Sequence, residues 1–152
     1  MRRRRTVVLI AAGVIVFVAV SALLARAFSA TGAESAAVTD LVRAQARGDA
    51  NGVLDRIHGC RASSACQVRV AQDVAALRHS GAVSILQVTP SASFSLSATL
   101  GTARVAWTVA ASLPIVQCVR VRRTGNVLSG VHIELLKLSA KIKSDADCPA
   151  QF

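Results

Sequence analysis

The sequence predicts an α+β domain behind an N-terminal transmembrane helix, with about three helices packed on a curved, mostly antiparallel sheet of about five strands. Three observations carry that expectation. Val7 to Ala25 is an unbroken apolar run, and Arg2 to Arg5 stand directly before it. Apolar residues recur at helical spacing from Ala36 to Gly81 and alternate beyond it. All four cysteines, Cys60, Cys66, Cys118 and Cys148, fall in the part that follows the apolar run.

The apolar run would extend about 28 Å as a helix at about 1.5 Å per residue, against a hydrocarbon core of about 30 Å. Arg2 to Arg5 place the N-terminus in the cytoplasm and the remainder outside. The boundaries that follow are a basic tail at 1–5, a transmembrane helix at 6–25, a linker at 26–36 and an extracytoplasmic domain at 37–152. The linker reads RAFSATGAESA, small and polar. The alternative is a signal peptide cleaved near Ala27, since Ala25-Arg26-Ala27 resembles a small-residue cleavage site. Both readings put the domain on the outer side.

Charge narrows the function classes. Of the 18 basic residues, Arg2 to Arg5 and Arg26 lie at the N-terminus, leaving 13 against 8 acidic ones. That mild excess is not the basic density of a nucleic-acid binder. One tryptophan, four phenylalanines and no tyrosine also leave few platforms for stacked bases. Arginine far outnumbers lysine, a bias associated with high-GC bacteria.

Val38, Leu41, Val42 and Ala46 define the apolar face of a helix starting near Ala36 and stopping at Gly48. Asp49 is suited to N-cap a second helix whose apolar face is Val53, Leu54 and Ile57. Ser64 with Gln67 forms a capping-box pattern for a third helix from about Ala65 to His79, apolar at Val70, Val74 and Leu77. Val83, Ile85 and Val88 then open a strand ending at Pro90. Phe94, Leu96, Ala98 and Leu100 alternate with polar residues as a second strand, with a turn expected at Gly101. Val105, Trp107 and Val109 share one face of a third strand. Ile115, Val119 and Val121 share one face of a fourth, opposite Cys118, Arg120 and Arg122. Thr124-Gly125-Asn126 reads as a hairpin turn. In the last strand the apolar phase flips after Val131, Ile133 and Leu135 to Leu136 and Leu138, which a bulge near Leu135 would produce.

This order of elements, with the break Ala46-Arg47-Gly48-Asp49-Ala50 between the first two helices, resembles the nuclear transport factor 2-like superfamily, a cone-shaped α+β fold. The resemblance covers about residues 37 to 143, and the Ala103 to Leu138 meander corresponds to its sheet. Among its membrane-anchored bacterial members the chain is similar to Mce-associated membrane proteins. The resemblance implies a cavity between helices and sheet. Enzymes of that superfamily use a carboxylate, a histidine or a tyrosine inside the cone, and the steroid-isomerase-like members place an Asp base and a Tyr donor there. This chain has no tyrosine, and Glu134 is the only acid between Asp73 and Asp145.

Four cysteines allow three pairings, of which Cys60–Cys66 and Cys118–Cys148 are favoured as staples in an oxidising compartment. Their spacings do not match zinc ligands or a redox CxxC, so no metal or cofactor is expected. Arg104, Arg120 and Arg122 share the polar sheet face with His132 and Glu134, a candidate basic interaction patch. The expected function is a membrane-anchored, non-enzymatic accessory or scaffold domain. Its partners are the bilayer, through the N-terminal helix, and a protein at the membrane surface. The alternative is a carrier of a small apolar ligand or lipid, with a pocket near Phe94, Leu96 and Trp107. A third reading is an isomerase- or hydrolase-like enzyme using His132 and Glu134 as an acid–base pair.

Overall fold

A computed structural model describes residues 2–91, 100–110, 112–126, 130–143, 146–149 and 151–152; the side chains at 2–9, 25–29, 126 and 130 lie outside that description. The fold is α+β. Helix α1 (Arg2–Ala46) leads to α2 (Ala50–Arg56), a 3-10 turn (Cys60–Ala62) and α3 (Ser64–Leu77). Four strands follow: β1 (Val83–Thr89), β2 (Leu100–Val109), β3 (Ile115–Asn126) and β4 (Gly130–Leu138). They form one antiparallel sheet in the order β1-β2-β3-β4.

The N-terminal third departs most from expectation. The segment 26–36, expected as a linker, is helical, and the helix expected to begin near Ala36 is the last quarter of α1. Four of the eleven residues in RAFSATGAESA are alanine, the strongest helix former. Ala30, Glu34, Val38, Leu41, Val42 and Gln45 recur at helical spacing and are all buried, so one stripe of α1 docks on the domain. The expected transmembrane helix is also corrected: among the described residues, no helix is long and apolar enough to cross a membrane. The exposed apolar stretch with described side chains is 10–24.

Local chemistry sets the junctions. Gly48, at φ 79°, turns the chain out of α1, with its N–H donating to the Gln45 carbonyl. Asp49 Oδ1 accepts from the Gly52 N–H at 2.8 Å and caps α2. The cap of α3 is Ser63, one residue before the expected Ser64; its hydroxyl accepts from the Cys66 N–H at 3.3 Å. Gln67 does not close a capping box, because its amide donates to the Arg61 carbonyl instead. The Ile57–Leu135 bridge and the His58 N–H to Leu135 carbonyl bond, at 2.7 Å, tie the end of α2 to β4.

The sheet has four described strands rather than five. Residues 92–99, which hold most of the expected second strand with Phe94 and Leu96, lie outside the description. Gly101 is not a turn: it lies within β2 and pairs with Val121. Thr124, Gly125 and Asn126 are not the hairpin turn: they belong to β3 and pair with His132, Val131 and Gly130.

Two bulges keep apolar residues on the core side. Ile85 pairs with Trp107 and Val88 with Val105, so the register shift at Leu86 returns Val88 to the inner face. In β4, Val121 opposes Leu135 and Val119 opposes Leu138; the extra residue sends both leucines inward. The inner face carries Ala103, Val105, Trp107, Ile115, Val119 and Val121, all buried against the helices. α1 packs on β1, β2 and β4, hence on both edges of the sheet. Full burial of each Val or Leu here contributes about 1.5–3 kcal/mol.

Cys60 is bonded to Cys66 and Cys118 to Cys148. The separations of 6 and 30 residues correspond to roughly 2 and 3.5 kcal/mol of loop entropy removed from the unfolded chain. The longer link draws the tail onto the outer face, where Val116 and Cys118 are buried. That half of the face is therefore not a solvated surface.

Candidate functional site

Four places carry exposed or buried groups of unusual chemistry. The first is the outer half of α1. Ile10, Val14, Ile15, Val16, Phe17 and Val18 are all strongly exposed, and Phe17 reaches 72%. Consecutive exposed apolar residues mean that every side of the helix is apolar. Such a helix belongs in an apolar environment, since in water it would present one large apolar patch.

The second is a buried ionic clasp where α1 meets the sheet. Glu34 is fully buried, and its carboxylate accepts from the Ser91 N–H at 2.7 Å and the Ser91 hydroxyl at 3.2 Å. Arg123, on β3, donates to it through Nε at 3.0 Å and through Nη2. The same Nη2 reaches the Ser91 carbonyl at 3.2 Å. Both carboxylate oxygens thus meet a donor, the condition for tolerating a charge away from water. Sequence reasoning placed Glu34 in the linker and passed over Arg123. Its only sequence signal is an acid on the same stripe as Ala30 and Val38, visible once the segment is taken as helical.

The third is the arginine face. Register places Arg104 opposite Cys118, Arg120 opposite Lys137 and Arg122 opposite Glu134. The three arginines therefore share a face with each other, but they are not a bare cationic surface. Arg122 Nη1 bonds Glu134 Oε2 at 3.3 Å, and Arg104 and Arg120 have interactions of their own. Glu134 is engaged by Arg122, while His132, its expected acid–base partner, is exposed opposite Thr124.

The pocket expected near Trp107 is not open at that residue. Trp107 is fully buried, and its indole N–H donates to Gln117 Oε1 at 3.0 Å. Gln117 in turn donates to the Ser139 carbonyl at 3.1 Å. This chain of bonds pins the ring among core residues rather than presenting it to a ligand. Phe94 and Leu96, the other two residues of that expected pocket, lie outside the described residues.

The fourth is a cleft of about 310 Å³ between α3 and the end of β4. Ile57, Val70, Leu138 and Phe152 give it apolar walls. Arg69, Asp73 and Lys137 stand around them. Burial pushes the Asp73 carboxyl above its usual range, and the neighbouring Arg69 pulls it back only in part. Beyond the cleft, Asp55 is held below its usual range by the hydrogen bond from Arg61, an exposed pair that closes the Cys60–Cys66 loop against α2.

Sequence reasoning missed the cleft because Arg69 and Lys137 lie on different elements far apart in the chain. No protein family, curated protein or solved structure matches the chain.

Proposed function

We propose that this chain is a non-enzymatic, extracytoplasmic accessory or scaffold domain that works through protein contacts at a lipid surface. The two disulfides indicate an oxidising, extracytoplasmic environment. The observation that carries the proposal is the continuity of α1. Its stretch 10–24 is exposed and apolar on all sides, and the same helix runs without a break into the buried core. Contact of 10–24 with lipid removes that apolar surface from water, at about 25 cal/mol per Å².

Helices followed by an antiparallel meander, with the Gly48-Asp49 break between α1 and α2, support grouping the domain with the nuclear transport factor 2-like superfamily. The ion-paired Glu134 and the absence of tyrosine favour a binding role over acid–base catalysis.

Vesicle flotation tests the lipid surface. The full chain should float with phosphatidylglycerol–phosphatidylcholine vesicles, and Phe17→Glu with Val18→Glu should leave most of it at the bottom of the gradient. Equal recovery of the two proteins with vesicles would remove lipid as the occupant of α1.

A further inference from the structure

The cleft between α3 and β4 is not used by that function, and its chemistry is specific. We propose that it binds a single-chain amphipathic anion, with the acyl tail against Ile57, Val70 and Leu138 and the carboxylate head between Arg69 and Lys137. At about 310 Å³ the cleft lies at the small end of ligand pockets, which run from about 300 to 1,000 Å³. That volume suits one short chain and is too small for a two-tailed phospholipid.

Charge selects the head group. Arg69 lies on α3 and Lys137 on β4, so each of the two elements brings one cation to the cleft. Asp73 is the one acidic side chain among the lining residues, one helical turn from Arg69 on α3, so two cations stand against one carboxylate. The guanidinium of Arg69 can hold a carboxylate with two parallel N–H donors, and Lys137 adds a point charge. A neutral apolar ligand would gain nothing from either cation, and a cationic one would meet repulsion from both.

The site is also rigid on three sides. The Cys60–Cys66 disulfide fixes the start of α3, and Cys66 lines the cleft. Ile57 is joined to Leu135 of β4 by a bridge. Leu138 is buried from behind by the core. Little ordering is needed on binding, which favours affinity from a small contact area.

The test uses the full chain in a non-ionic detergent and a photoreactive diazirine derivative of decanoic acid, with labelled peptides mapped by mass spectrometry. Labelling should concentrate on α3 and β4 peptides at low probe concentration, separable from detergent-competed labelling on α1. Arg69→Glu with Lys137→Glu should lower the cleft labelling about tenfold, as expected for losing two rim cations. Both side chains are exposed, so the variant should fold, and unchanged Trp107 fluorescence checks that it does. The methyl ester of the same probe should label the cleft about tenfold less than the acid. Equal labelling by acid and ester, or by native chain and double variant, would overturn the proposal. So would labelling confined to α1.

Discussion

Replacing Arg123 by methionine should cost the domain more than replacing Glu34 by glutamine, although each change removes the same ion pair. The asymmetry follows from exposure: Glu34 is fully buried, whereas the Arg123 side chain is 17% exposed. In Glu34→Gln the amide oxygen still accepts from the Ser91 N–H, and Arg123 can turn its charge toward water. About 1–2 kcal/mol should be lost, the scale of a charge-assisted hydrogen bond. In Arg123→Met the carboxylate stays buried with Ser91 as its remaining donor residue among the described bonds, and about 3–5 kcal/mol should go. The double variant holds no buried charge and should be more stable than Arg123→Met alone. Urea unfolding in mild detergent measures this, read by Trp107, the only tryptophan and a fully buried one. With a slope of about 2 kcal/mol/M, Arg123→Met should lower the midpoint by about 1.5–2.5 M, and adding Glu34→Gln should recover part of it. A double variant no more stable than Arg123→Met would refute the view that an uncompensated carboxylate is the source of the loss.

Two other substitutions probe polar groups that the fold carries at a cost. Both polar side-chain atoms of Gln45 are buried without a hydrogen-bond partner among the described residues, so Gln45→Met should raise stability by about 1–3 kcal/mol; a lowered urea midpoint would mean that the amide has a partner. Asp73 has its carboxyl pushed up from 3.8 by burial, so the folded chain holds this proton more tightly than the unfolded one. Its contribution to stability is greatest below 3.8 and is lost as pH rises through the folded value. Asp73→Asn should therefore stabilise the domain near neutrality and have little effect below that range. Urea midpoints that shift equally at both pH values would contradict this.

Much of the architecture was legible because it is written locally. The apolar spacing of Val70, Val74 and Leu77 gives the buried face of α3, and Asp49 three residues before Gly52 gives the α2 cap. The phase flip from Leu135 to Leu138 announces a bulge, since only an extra residue turns both leucines inward. The course of 26–36 was not legible, because alanine, serine and glycine suit a tether as well as a helix. Docking decides between them, and its key contacts join Glu34 to Ser91 and Arg123, 57 and 89 residues away. The same holds for the cleft, whose two cations, Arg69 and Lys137, come to one place only in the folded chain. The arginine face was legible as a register pattern, but the tail over Val116 and Cys118 was not, because one disulfide brings it there.

The unbroken course of α1 acts as a rotary key. Each residue of an α-helix advances the azimuth by about 100° and the height by about 1.5 Å. The direction in which the sheet faces is therefore fixed to the orientation of the apolar half by the number of residues between Leu24 and Ala30. One residue inserted there would leave both ends chemically intact and swing the arginine face and the cleft by more than a quarter turn. A partner that meets the domain at a fixed bearing would lose it, while one that gathers the domain from any side would not notice.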